Sequence, residues 1–537
     1  MRKDLFTFFS IFISVLSLRC QTWTWASAPT GSGNTECVAV ANDPSGNSFV
    51  TGQIQGANLN FGTSTLTTGG QKTFIAKYNS SGVAQWAKCS SGSNGSEIGW
   101  SVTADASGNS FITGYFYPGT LSFGTTTLTN TGSGSSTDAF LIKFDPNGNE
   151  LWSRQISGAS GETGRGVCTD AAGNVIVTGN FASPSLVVGT STLTNAESSS
   201  VFIIKYDPSG NVIWARQNTS GGFDVPFSVC ADPSGNIIVT GSFDGTTTGF
   251  GAFTINNFSP GPPKEDMFIA KYDPTGIVLW ASNASSSSQH DRSYFVDADA
   301  GGNTYVTGYY NASTSSMNCS GFLSKYNPSG GLVWTKYTSV GFGTYGNIGY
   351  SLKTYTNGIW VGGAMSSSSI IIGTYTISVP SFVDPVYLAH YDFNGNVMSA
   401  TAILSGGDDN FGVSVDNNCD VIVASDFNMS SYILGTSTLT NTGGESIFIA
   451  KMNYGCQAGV GINELNKKEN FTLYPNPTSN ILTIKTNSKI NSVIEITNCL
   501  GEIVLIQKYS ENIDVSKLNA GYYFIRIDNF YSKFIKE

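Results

Sequence analysis

The stretch FIAKYDPTGIVLW at residues 268–280 returns along the chain as FLIKFDPNGNELW from Phe140 and as FIIKYDPSGNVIW from Phe202. A catalytic phrase is needed once, whereas a phrase repeated at a near-constant interval marks one structural unit used many times. Its opening recurs at Phe74, Phe140, Phe202, Phe268, Phe322, Tyr387 and Phe448. A second phrase, Asp-x-x-Gly-Asn running into an apolar strand, alternates with it from Asp43, Asp105, Asp170, Asp232 and Asp299. Degenerate copies follow at Thr356 and Asp416, so both phrases count seven units.

Each unit predicts four strands, which in the third are GRGVCTD, NVIVTGNF, VFIIKYD and VIWARQ. Asp-Pro-x-Gly turns separate them, because Pro presets one turn dihedral and Gly accepts the strained one. A patch such as LVVGTSTLTN between the second and third strands predicts an added hairpin, shrunk to SMNCS in the fifth unit. A lone four-stranded sheet cannot hide both faces, but sheets stacked around an axis bury one another and leave short edges. The seventh unit lacks its tryptophan strand, while QTWTWAS at residues 21–27 has no strands before it. The expected fold is therefore all-β: a seven-bladed β-propeller over residues 21–456, closed by an N-terminal strand. With its Asp-x-x-Gly-Asn-x-x-Val-Thr-Gly core, the unit resembles the SBBP type of propeller repeat. Units five to seven depart from the pattern, with Ser399 in place of the sixth tryptophan.

Both ends read differently. Arg2 and Lys3 precede an apolar run over residues 5–18, so residues 1–20 are expected to be a secretory signal peptide. No other segment is apolar enough to span a bilayer. A linker over residues 457–470 leads to a predicted small C-terminal β-sandwich over residues 471–537, with strand alternation in ILTIK and YFIRI. Tyr474-Pro475-Asn476-Pro477, Gly501, Gly521 and Lys533 carry the motifs of this segment, in order. They make it similar to the type A sorting domain of the type IX secretion pathway of Bacteroidetes. That resemblance implies recognition by the type IX machinery and export across the outer membrane.

Charge narrows the partners. The chain carries a net −10, and residues 20–461 hold 15 basic against 28 acidic residues, which argues against nucleic acid. Acidic residues stand before the first strand of most units: Glu36, Glu97, Glu162, Asp224, Asp291, Asp408 and Asp409. As a ring at one channel mouth they would suit a hard cation such as calcium or a polar ligand. Alternatively, each carboxylate accepts hydrogen bonds within its own interblade loop. The third-strand lysines (Lys77, Lys143, Lys205, Lys271, Lys325 and Lys451) read as packed stems with exposed ammonium heads. His290, Asp291 and Arg292 form one polar loop cluster, and Glu162 with Arg165 another; solvated salt bridges are the expectation for both. Of eight cysteines beyond Cys20, Cys419 and Cys456 are the one pair expected to bridge, and no zinc-binding spacing occurs. GFGTYG at residues 341–346 precedes no helix and is not a dinucleotide site. The expected product is a monomeric, non-enzymatic, exported binding or adhesion protein without a cofactor, with a glycan or protein ligand. The alternative is an extracellular polymer-degrading enzyme working at the channel mouth.

Overall fold

The computed structural model describes residues 22–454 apart from 57, 94–95, 197, 259–264, 284–289, 313–317, 342–345, 366–367, 380–384, 405 and 442. It also describes residues 471–537 apart from 487–492, 499–502 and 528–529. The expected signal peptide, the linker, Cys456 and Gly501 lie outside these residues. The chain divides into two units, residues 1–456 and 457–537.

Among the described residues of the first unit, strands form seven four-stranded antiparallel sheets, joined in chain order. The first sheet runs Asn34–Asn42, Ser48–Gln55, Gln71–Tyr78 and Ala84–Cys89, from inner to outer strand. Two-stranded hairpins leave between the second and third strands, as in Ser185–Val188 with Ser191–Thr194. The core lies between sheets. Phe111 and Leu141 of the second pack with Val175, Val177, Phe202 and Ile204 of the third, all buried. The seventh sheet joins distant segments of the first unit: Thr22–Ser27 pairs antiparallel with Ser446–Asn453, with Thr22 opposite Asn453 and Ser27 opposite Ile449. That sheet then packs on the first, where Ile422 and Ile449 join Val50 and Phe74 in one cluster. The Cys37 N–H donates to Asp426 Oδ1 at 2.6 Å, and the Ile447 N–H to Thr35 Oγ1 at 3.1 Å.

The repeated phrases now have physical reasons. In each Asp-x-x-Gly-Asn turn the aspartate caps the loop. Asp105 accepts the N–H groups of Ser107 and Asn109 at 2.9 Å and the Asn109 amide at 2.7 Å. In the first three sheets the third-strand lysine and the fourth-strand tryptophan both reach one turn carbonyl of the next, whereas in the fourth they part, Lys271 to Gly302 O at 3.2 Å and Trp280 to Pro328 O at 3.1 Å. Lys77 Nζ and Trp86 Nε1 each donate to Pro146 O at 3.0 Å. Lys143 and Trp152 meet at Pro208 O, and Lys205 and Trp214 at Pro274 O. Gly148 of the receiving turn sits at φ 81°, and a Cβ there would lie 2.7 Å from the Trp86 indole. Trp25 of the N-terminal strand makes the same bond, to Ser80 O of the first sheet at 3.0 Å.

The lysine heads are not exposed, contrary to the sequence reading. Lys205 pairs with Asp170 at 2.9 Å, Lys271 with Asp232 at 2.8 Å and Lys451 with Asp416 at 2.6 Å, all almost fully buried. The turn aspartates supply the counter-charge that makes burial tolerable. Cys419 takes the glycine position of the seventh Asp-x-x-Gly turn, at φ 60°, and is disulfide-bonded. Its expected partner, Cys456, lies outside the described residues.

The second unit packs a three-stranded sheet (Phe471–Tyr474, Ile481–Thr486 and Asn512–Asp514) with a four-stranded one. Leu482, Ile484, Ile494, Ile496, Ile525 and Phe534 fill its core.

Candidate functional site: a collar of bulged residues

The inner strands hold the departure from uniformity. Each of the first six carries one extra residue relative to its partner strand: Val38, Trp100, Arg165, Phe227, Tyr294 and Tyr350. The glycine of each Thr-Gly pair accommodates this bulge. A Cβ on Gly114 would overlap the Ile98 carbonyl oxygen, and one on Gly179 the Thr163 oxygen. All six bulged residues line one central cavity of about 570 Å³, walled by the inner strands of all seven sheets.

These side chains touch from sheet to sheet. The Arg165 guanidinium lies 4.6 Å from the Trp100 ring centre. Phe227 and Tyr294 stack edge-on at 5.0 Å, and Tyr294 meets Tyr350 at 5.2 Å. Arg292 spreads over Phe227 at 5.4 Å and is held by Glu265 through Nε at 3.0 Å and Nη2 at 2.6 Å. Burial, offset in part by Tyr115, leaves the Arg165 guanidinium lowered to about 10, with Arg292 adding repulsion. Elsewhere along the cavity Lys353 pairs with Asp297 at 2.8 Å.

Of the predicted carboxylates, Glu36, Glu97, Glu162, Asp224 and Asp291 are not among the residues that line the cavity. Glu97, Glu162, Asp224 and Asp291 are fully buried, and Glu36 half-buried. Glu97 pairs with Lys72 at 2.8 Å and accepts the Ser90 hydroxyl. Glu162 accepts the Gly158 N–H at 2.6 Å and the Ser183 hydroxyl, while burial pushes it up to about 7. Asp224 accepts Thr248 Oγ1 at 2.8 Å and the Asn218 amide, and Glu36 the Gln53 amide. Asp408 and Asp409 fall on Gly406–Val415, with side chains outside the described residues. Among the described residues no three acidic, histidine or cysteine side chains are grouped to hold a metal. The partners named here lie within loops or on nearby strands of the same or the neighbouring sheet.

Sequence reasoning reached Arg165 only as a loop neighbour of Glu162, and missed the aromatic collar. The signal was present in GWSV, GRGV, PFSV, SYFV and GYSL, where one position varies inside an otherwise matching register.

In the second unit, the side-chain amide of Asn476 donates to Lys533 O at 3.1 Å and its carbonyl accepts the Ile535 N–H at 2.9 Å. The Tyr474-Pro475-Asn476-Pro477 segment is thereby fastened to the last strand, Phe530–Lys536, where the Lys533 side chain is exposed. Gly521 opens the neighbouring strand Gly521–Ile527.

An exported all-β repeat protein with a secretion tail is the class these features define. Residues 472–537 match the family model of the secretion system C-terminal sorting domain. The chain is accordingly a substrate of type IX secretion, delivered to the cell surface or released. An uncharacterised WD repeat-containing protein of Acanthamoeba polyphaga mimivirus is 29% identical over 166 residues, which is 28% of this chain and 12% of that protein. The chain thus spans about an eighth of that relative's length. Among solved structures, PorZ, an essential surface component of the type IX secretion system of Porphyromonas gingivalis, aligns at TM-score 0.33 and 11% identity. The alignment covers 93% of this chain and 70% of PorZ. The Pan2 WD40 domain of Neurospora crassa aligns at TM-score 0.40 and 8% identity, covering 80% and 95%.

Proposed function

We propose that residues 21–456 form a closed, seven-bladed β-propeller of the SBBP kind, which acts outside the cell as a non-enzymatic binding or adhesion module. Its tail would deliver it there, and its ligand would enter the central channel.

One observation carries this reading. Turn aspartates, latch lysines and tryptophans recur from sheet to sheet, whereas the bulged position holds Val, Trp, Arg, Phe, Tyr and Tyr. Repetition serves the ring, and variety confined to the channel wall serves recognition. The decisive experiment is a glycan and surface-extract binding screen run beside a product assay on the same polymers. Saturable binding without products supports the binder; turnover of any polymer would replace it with the enzyme reading.

A further inference from the structure

We infer that the channel wall at Trp100 and Arg165 binds a carboxylate carried on a six-membered ring with an apolar face, a deepening that rests on the binding-module reading above. Two donors there lack acceptors: Arg165 Nε and Trp100 Nε1 are both buried without a hydrogen-bond partner. Among the described residues no carboxylate pairs with Arg165. Unmet buried donors are costly, more so when charged, and an anion bound at this wall would give the Arg165 guanidinium the acceptor it lacks.

Stacking of arginine on tryptophan is not by itself the signal, because the chain contains satisfied versions of it. Arg154 lies 5.1 Å from the Trp152 ring centre and Arg216 5.6 Å from that of Trp214. In those pairs the arginine Nε donates to Gly210 O at 2.7 Å or Gly276 O at 2.8 Å, and the indole to Pro208 O or Pro274 O. Those pairs are interblade fasteners. Arg165 and Trp100 share the stack but face the cavity and lack every one of these acceptors.

The surroundings define the rest of the ligand. Arg292 adds positive potential, but its own fork is occupied by Glu265, leaving Arg165 as the cation available to an anion. Phe227 and Tyr294, on the next two inner strands, supply aromatic surface for a flat apolar face. A cavity of about 570 Å³ suits one or two rings. A uronate sugar and an aromatic acid share this chemistry.

The test is titration calorimetry on the full-length protein with sodium D-glucuronate, sodium benzoate and D-glucose. We expect one or both acids to bind and glucose not to. Arg165→Gln should weaken binding about tenfold or more. Trp100→Phe, which keeps the stack and loses the N–H, should weaken it by less, and Lys485→Gln in the tail should leave it unchanged. Melting curves matching the parent show that each variant is folded. Glucuronate alone identifies a saccharide source, and benzoate alone an aromatic acid. Glucose binding as well as glucuronate, unaltered affinity in Arg165→Gln, or no heat from either acid would each overturn the assignment. A negative result on all three probes leaves the binding-module reading to its own screen, which tests polymers instead of monomeric acids.

Discussion

Glu162 carries a proton more readily in the folded chain than in the unfolded one, because burial raises it from 4.5 to about 7. A raised carboxylate contributes stability that is complete below about pH 4.5 and is lost as pH rises through about 7. Asp138, raised to about 6 by burial, acts with the same sign. Glu162→Gln keeps an acceptor for the Gly158 N–H and offers a donor to Ser183. Its melting temperature should match the parent at pH 5 and exceed it by about 2–4 °C at pH 8. Equal melting at both pH values would show that the folded carboxyl titrates normally. The lysine latch gives a second residue-scale prediction. Lys271→Met strands the buried Asp232 carboxylate and should cost about 3 kcal/mol by denaturant unfolding. Lys77→Met removes a bond to Pro146 O but, among the described residues, no ion pair, and should cost about 1 kcal/mol. Similar costs for the two would refute the role given to the turn aspartates.

At the scale of elements, the strand Thr22–Ser27 repeats with Trp25 what Trp86, Trp152, Trp214 and Trp280 do in their own sheets. Trp25→Phe should lower stability by about 1 kcal/mol, the worth of one hydrogen bond. Deleting residues 22–27 should do far more, exposing the edge of Ser446–Asn453 and broadening the melting transition seen by calorimetry. A deletion variant that melts as sharply as the parent would show the strand to be dispensable. Strands, hairpins and the N-terminal completion of the seventh sheet were legible because each leaves a local pattern of alternation, turn residues and missing pieces. The lysine heads were misread because their partners sit about 35 residues earlier in the same sheet or in the next sheet's turn, which no local window contains. The bulges were invisible for another reason: one inserted residue breaks the period-two pattern that strand reading depends on. Arg165 therefore read only as a neighbour of Glu162 at the start of GRGVCTD, and Trp100 drew no reading, although both line the cavity.

For the whole molecule, the tail carries the export signal. Removing residues 471–537 should leave the remaining unit inside the cell envelope, measured by fractionation and surface proteolysis, while the purified fragment keeps the parent's ligand binding. Surface display of the truncated protein would contradict the route assigned to the tail. The seventh sheet also sets an order of events. Thr24 Oγ1 donates to Lys451 O at 3.0 Å, across 427 residues of chain. Thr22–Ser27 must therefore wait for Ser446–Asn453 before it can pair, and so great a sequence separation makes this a slow joining step. Whatever order the other six sheets form in, the seventh cannot be completed until Ser446–Asn453 is available to receive Thr22–Ser27, so the rest of the unit is free to assemble before its two margins are joined.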